Sequence, residues 1–93
     1  MEVYKGTIVG IDHTIGSGLA HLHLKDDKGS DVVVHCEAGQ TFRALSAAFG
    51  DSVYGPVGKE IYFTTDRYGV MASFSPVDDA PPELVRMYEE AIP

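Results

Sequence analysis

The order of its apolar segments constrains the fold of this chain more than any other feature. Apolar side chains alternate with polar ones in five segments, which predicts strands, and they recur at helical spacing in a sixth. In chain order the segments are Glu2–Asp12, Leu19–Lys25, Asp31–Glu37, the helix Gln40–Phe49, Glu60–Thr65 and Gly69–Ser75. Three strands, one helix and two strands therefore make an all-β fold with a minor helical part.

This element order is typical of the five-stranded oligonucleotide/oligosaccharide-binding (OB) barrel. We predict an OB-like β-barrel over residues 1–76 and a C-terminal amphipathic helix over 77–93, within a single domain overall. Gly6 and Gly10 interrupt the first strand, and glycines inside strands mark the bulges or bends that a barrel needs. A Src-homology-3-like barrel is the main alternative, although such barrels normally lack the helix between strands three and four.

Composition limits the classes of function. Fourteen acidic and seven basic residues among 93 give a formal net charge of −7, which argues against tight non-specific binding of nucleic acid. The single cysteine, Cys36, excludes an internal disulfide and suits a reducing compartment. The N-terminus lacks the pattern of a signal peptide, and no apolar run is long enough to span a membrane. We therefore expect a soluble, cytoplasmic protein without a membrane partner.

Strands two and three predict a surface that carries three histidines. One register turns the leucines of the second strand, Cys36 and alternate valines of the third strand toward the same side. That register makes three pairs on the opposite face: His21 with His35, His23 with Val33, and Lys25 with Asp31. A shift of one residue would put one apolar set on the wrong face, so burial favours this arrangement.

The stretch from Gly16 to Glu37 resembles the cold-shock branch of OB domains. The residues that carry the resemblance read Gly16-Ser17-Gly18-Leu19-Ala20 and Val32-Val33-Val34-His35-Cys36. The resemblance implies an OB fold and binding of single-stranded nucleic acid by stacking of bases on phenylalanines of these two strands. In this chain Ser17, Leu19 and Val33 occupy the positions of the stacking rings, which leaves His35 as the ring that can stack.

The histidines allow a metal site as one hypothesis. Histidines at i and i+2 on a strand point the same way, and a cross-strand histidine lies close to them. Zinc takes four such ligands, or three and a water; no obvious carboxylate completes the set, although Glu37 lies on the same face. Surface histidines on a solvated strand are the simpler interpretation, and their charge would rise in mild acid.

The sequence predicts no catalytic residue and no cofactor. His35 and Cys36 are neighbours in the chain, but adjacent strand residues project to opposite faces and cannot act together as base and nucleophile. Cys36 is best explained as a small core residue.

Two further features can contact a ligand. Arg67 and Tyr68 lie at the predicted tip of the last hairpin, where an arginine beside a tyrosine can clamp a base, a sugar or a carboxylate. The C-terminal helix carries an apolar stripe that includes Leu84, Met87 and Tyr88. This helix either folds back to plug one end of the barrel or docks into a partner protein.

These observations predict a non-enzymatic binding module. Its ligand-binding face comprises the outer side of strands two and three with the loops Asp12–Gly18 and Asp66–Gly69. The predicted contact residues are His21, His23, Lys25, Val33, His35, Arg67 and Tyr68 for the ligand, with Leu84, Met87 and Tyr88 for a partner. A protein partner or self-association is the first hypothesis, weak binding of single-stranded nucleic acid the second, and metal binding by the histidine cluster the third.

Overall fold

The computed structural model describes residues 3–13, 18–50 and 55–91, without the side chains of residues 13 and 91. The strands are β1 (Val3–His13), β2 (Leu19–Lys25), β3 (Asp31–Glu37), β4 (Glu60–Thr65) and β5 (Met71–Pro76). Helix α1 (Ala38–Phe49) follows β3, and a 3₁₀ turn (Val77–Asp79) leads from β5 to helix α2 (Pro82–Ala91). The strands form one antiparallel sheet in the order β3-β2-β1-β4-β5. The prediction of a mostly β chain with two helices is confirmed.

The register between β2 and β3 is the one predicted from burial. His21 lies opposite His35, His23 opposite Val33, and Lys25 opposite Asp31. The buried side chains of both strands project to the other face of the sheet; they are Ala20, Leu22, Leu24, Val34 and Cys36. The alternation of apolar and polar residues therefore determines which face of each strand is buried.

Helix α1 begins two residues earlier than its apolar spacing predicts. The carboxylate of Glu37 accepts hydrogen bonds from the backbone amides of Gly39 at 3.1 Å and Gln40 at 2.7 Å. These bonds satisfy two amides that have no partner within the helix, so the first turn forms before the apolar stripe begins. The helix ends at Phe49 and is followed by Gly50, whose φ of 93° favours glycine.

The core lies between the sheet and α1, and two alanines on these elements do not join it, although their spacing along the chain is that of core positions. Its buried members are Ile8, Ala20, Leu22, Leu24, Val34, Cys36, Ala38, Leu45, Ile61 and Phe63. Ala48 and Ala72 are exposed instead. A β-bulge pairs Thr64 with Ser73 but Thr65 with Met71, so Ala72 is the unpaired extra residue and Met71 packs against the core.

The glycines of β1 mark an irregular strand, as predicted. The pairing of β1 with β2 shifts between Ile8 and Gly10, which is a bulge. A β-carbon on Gly6 would lie 3.2 Å from Cβ of Leu24, so a larger residue at this position would require the two strands to shift slightly apart. At the far sides of the sheet, β3 and β5 lie close to each other, and His35 of β3 forms one parallel bridge with Val70, the residue before β5.

Helix α2 packs on the outer side of the sheet. The ring of Tyr88 lies 5.3 Å from that of Tyr62, centre to centre, and its hydroxyl donates a hydrogen bond to Asp27 at 3.1 Å. The side chain of Tyr62 faces away from the core residues Ile61 and Phe63, yet Tyr62 is only 5 % exposed. The helix therefore lies beside the strands of its own chain. No helix in the described part of the chain is long and apolar enough to cross a membrane.

The apolar stripe of α2 is divided between the sheet and solvent. Leu84 and Tyr88 are half-buried, whereas Met87 is 43 % exposed. Of the three residues predicted to contact a partner, Met87 therefore has the highest exposed fraction, whereas Tyr88 contacts the sheet of its own chain.

The contact of Tyr88 predicts a loss of stability at alkaline pH. Burial raises the pKa of Tyr88 above its ordinary value, and the hydrogen bond to Asp27 and the charge of that carboxylate add to the effect. The folded protein holds the phenol proton more tightly than the unfolded chain does. The contribution of this contact to the free energy of unfolding is therefore fully present below about pH 10 and disappears as the pH rises through the folded-state pKa. We expect the unfolding free energy of the protein to fall relative to that of Tyr88→Phe as the pH rises above about 10, measured by urea denaturation at each pH. A difference that stays constant across that range would contradict the assigned contact.

Candidate functional site

The structure places five of the residues predicted to bind a ligand on one face of β2 and β3, and the β4–β5 hairpin with the other two adjoins β3. We use the name β2–β3 patch for the outward side chains of the two strands with the tip of the β4–β5 hairpin. Its members are His21, His23, Lys25, Val33, His35, Arg67 and Tyr68.

Two histidines at the centre of the patch contact each other. The rings of His21 and His35 lie 4.8 Å apart, centre to centre, with 66° between their planes, which is an edge-to-face arrangement. This cross-strand contact follows from the register, because directly opposed side chains on one face of a sheet are neighbours. The pair presents a polar aromatic surface of two rings.

The third histidine has an acidic partner that the sequence did not reveal. Nε2 of His23 lies 2.6 Å from Oδ2 of Asp12, on the neighbouring strand β1. Both side chains are exposed, so the contact is open to solvent. Asp12 was predicted as the last residue of the first strand and the first of the ligand loop, without a partner on β2. The pairing of β1 with β2 after the bulge places it there.

The hypothesis of a metal site finds no support in the arrangement of these side chains. Within the described residues, no group of three or more histidine, cysteine, aspartate or glutamate side chains is arranged to hold a metal ion. His21 and His35 contact each other, whereas His23 contacts Asp12. The three imidazoles therefore form two separate contacts.

The patch also exposes apolar surface. Val33 is 51 % exposed and Leu19, on the same face of β2, is 50 % exposed. Val9, which lies at the bulge of β1, is 47 % exposed. Neither Leu19 nor Val9 was among the predicted contact residues. The alternation of inward and outward residues along β2 was enough to identify Leu19 as outward-facing, whereas the orientation of Val9 depends on the bulge.

The hairpin between β4 and β5 holds Arg67 and Tyr68 in a defined turn. A side-chain oxygen of Asp66 accepts hydrogen bonds from the amides of Tyr68 at 2.8 Å and Val70 at 3.0 Å. Gly69 has a φ of 80°, which closes the turn. Cζ of Arg67 lies 5.1 Å from the centre of the Tyr68 ring, which is 75 % exposed. The bridge between His35 and Val70 brings this hairpin to the edge of the patch.

Charge is balanced across the patch. Nζ of Lys25 lies 3.3 Å from Oδ1 of Asp31, and Asp66 adjoins Arg67 at the hairpin. With the contact between His23 and Asp12, each cationic or imidazole group at the periphery has an acid near it. The surface is thus mixed in charge rather than basic.

Cys36 takes no part in the patch. Its side chain is fully buried on the opposite face, and Sγ donates to the carbonyl oxygen of Ala20 at 3.5 Å. Burial raises the pKa of the Cys36 thiol, so the thiol stays protonated at neutral pH. His35 and Cys36 point to opposite faces, as predicted, and form no base and nucleophile pair.

One of the two predicted ligand loops is only partly visible. Residues 14–17, most of the predicted loop Asp12–Gly18, lie outside the described residues, and with them Gly16 and Ser17 of the cold-shock resemblance. The other loop, Asp66–Gly69, is described in full.

Comparisons with known proteins provide no family for this chain. No family model, no curated protein and no solved structure matches it. The function is therefore argued from the geometry of the chain itself.

Proposed function

We propose that the protein is a non-enzymatic binding module that uses the β2–β3 patch to recognise a partner protein. The observation that carries this proposal is the exposure of Val33, Leu19 and Tyr68 beside the histidine pair, at 51 %, 50 % and 75 %. Protein interfaces are enriched in aromatic residues and arginine and have a polar rim. The patch has this composition.

We further propose that the sheet is an OB-type barrel. The strand order β3-β2-β1-β4-β5 and the parallel bridge between His35 and Val70 support this fold, because OB barrels close through their third and fifth strands. In such barrels strands two and three, with the loop between strands four and five, form the ligand face. The proposed fold and the proposed site thus agree.

The local charge favours a protein over a polyanion. A surface that binds nucleic acid strongly needs lysines and arginines free to replace the counterions of phosphate groups. In the patch Lys25 pairs with Asp31, and Arg67 lies over Tyr68 beside Asp66. The net charge of −7 adds a general repulsion of polyanions.

A photo-crosslinking experiment tests the protein-binding proposal. A photoreactive amino acid replaces Val33 in one variant and Val57, which is 43 % exposed in the turn before β4, in a control variant. After irradiation in cells that naturally produce the chain, we expect a defined protein adduct from position 33 alone. Adding Tyr68→Ala should reduce the yield of that adduct about tenfold, as expected for the loss of an aromatic interface anchor. Identical adducts from both positions, or none from position 33, would refute the proposal.

Single-stranded nucleic acid is the second candidate, and one observation favours it. The guanidinium of Arg67 lies over the exposed ring of Tyr68, and the bridge between His35 and Val70 brings this hairpin next to β3, so rings and a cation are available to stack on bases. Fluorescence anisotropy with labelled oligo-dT at low salt is the direct measurement. Binding that weakens steeply with salt and is lost in Arg67→Ala, but not in the control Arg86→Ala on α2, would favour this candidate over a protein partner.

Metal binding by the histidine cluster was the third hypothesis. The described side chains do not bring three ligands together, and no observation favours this function over the other two.

A further inference from the structure

A second surface of the protein lies on the other side of the hairpin, between α1 and β5. It is a groove of about 570 Å³, bounded on one side by Ala44, Ala47 and Ala48 and on the other by Met71, Ala72 and Phe74. We call it the α1–β5 groove. None of these residues belongs to the β2–β3 patch.

The edge of β5 faces this groove. Among the described residues, β4 is the strand that pairs with Met71–Pro76; β3 also lies close to β5, and its backbone forms one bridge there, with Val70 just before β5. Beyond that bridge the chain of β3 turns into α1, which continues beside β5 at the distance set by the groove. An edge strand offers its backbone amides and carbonyls to a further strand.

The dimensions of the groove suit an extended chain. The lining residues span Gln40 to Ala48 on the helix and Met71 to Pro76 on the strand, which correspond to about 12 Å and about 16 Å. The alanines leave room for small or branched apolar side chains on the helical side. A second copy of the sheet fits less well, because its own α1 would have to occupy the space beside the same edge.

The charged residues of the groove indicate the charge that a bound partner should carry. Among the described residues that line it, Glu37 and Asp79 are charged and none is a lysine or arginine. Glu37 already accepts two amide hydrogen bonds at the start of α1, whereas Asp79 lies at the other end, after β5. A basic side chain is therefore complementary to the end near Asp79.

We propose that the α1–β5 groove binds an extended segment of a partner protein, which adds to the edge of β5 as a further strand. This segment carries small apolar side chains at alternate positions and a lysine or arginine toward Asp79. Main-chain hydrogen bonds to β5 supply the affinity, and the alanine-lined wall of α1 with Asp79 supplies the selectivity. The proposal is independent of the β2–β3 patch and its ligand.

Selection from a phage-displayed library of short random peptides, followed by NMR titration, tests it. We expect the selected peptides to alternate apolar and polar residues, to be enriched in lysine or arginine and to lack proline at their centre. Their binding should shift the amide signals of Ala72, Ser73 and Phe74. Ala44→Arg, an exposed helical site where arginine is a good helix former, should weaken binding about tenfold, because it fills the groove with a cation.

Two controls separate the groove from general effects. Val57→Arg adds the same charge at an exposed site outside the groove and should leave the affinity within about twofold. Asp79→Asn keeps the shape of the groove and should weaken lysine-containing peptides about two- to fivefold, as expected for a solvent-exposed ion pair. Failure to enrich any peptide, amide shifts confined to the β2–β3 patch, or self-association through β5 would each overturn the proposal.

Discussion

Replacement of Leu22 by alanine is expected to lower the free energy of unfolding by about 3 kcal/mol, the largest effect of any substitution considered for this protein. Leu22 is fully buried in the middle of β2, paired with Ile11 on one side and Val34 on the other. Truncation removes apolar contacts with both neighbours and leaves a cavity that the sheet cannot collapse to fill. A domain of this size has a stability of about 5–15 kcal/mol, so the variant loses a substantial part of it.

Leu19→Ala is the matched control, because it makes the same change in the same strand on the opposite face. Leu19 is 50 % exposed, and its truncation should cost less than about 1 kcal/mol. Urea denaturation of both variants measures the difference, with the midpoint of Leu22→Ala lower by about 1.5 M if the slope is near 2 kcal/mol/M. Equal losses in the two variants would show that the alternation of β2 does not divide core from surface.

The sequence was most informative where strands alternate cleanly. The bounds of β2, β3 and β4 and the pairing of His21 with His35 agree with the prediction, because a period of two and a short hairpin leave one register that buries both apolar sets. The exposed orientation of Val33 followed from the same reasoning. The sequence pattern alone was therefore enough to place the central residues of the candidate site.

Features that depend on tertiary contacts could not be predicted in this way. The bulge that exposes Ala72 and buries part of Met71 breaks the period of two without a distinctive sequence signal. The contact between Asp12 and His23 depends on the bulge in β1, which shifts the register between Ile8 and Gly10. Glycine indicated that β1 is irregular, but not which side chains the irregularity brings together.

The C-terminal helix shows the same limit for a whole element. Its apolar spacing indicated that one face is covered, but spacing alone does not identify the surface that covers it. The alternation of β4 places Ile61 and Phe63 in the core, which leaves Tyr62 pointing outward. Because Tyr62 points outward and is only 5 % exposed, another part of the chain must cover it, and the ring of Tyr88 does so.

Truncation of Tyr88 is the second substitution for which we expect a large loss of stability. We expect Tyr88→Ala to lower the free energy of unfolding by about 2 kcal/mol, because it removes the ring contact with Tyr62 and the hydrogen bond to Asp27. Nζ of Lys5 also lies 6.0 Å from the centre of the Tyr88 ring and 5.7 Å from that of Tyr62, so a cation–π contact is lost as well. Met87→Ala, at the 43 % exposed neighbouring position, should cost less than about 0.5 kcal/mol.

Hydrogen exchange distinguishes a displaced helix from a general loss of stability. If α2 covers the outer side of β1 and β4, Tyr88→Ala should accelerate amide exchange throughout α2 much more than in β2 and β3, because a helix of ten residues is marginal without a surface to pack against. Tyr88→Phe retains the ring and should keep most of the protection, which assigns the effect to packing rather than to the hydroxyl. Uniform acceleration across the sheet, or equal effects of Tyr88→Ala and Met87→Ala, would contradict this placement of the helix. The stripe that includes Leu84 would then again be available to a partner protein.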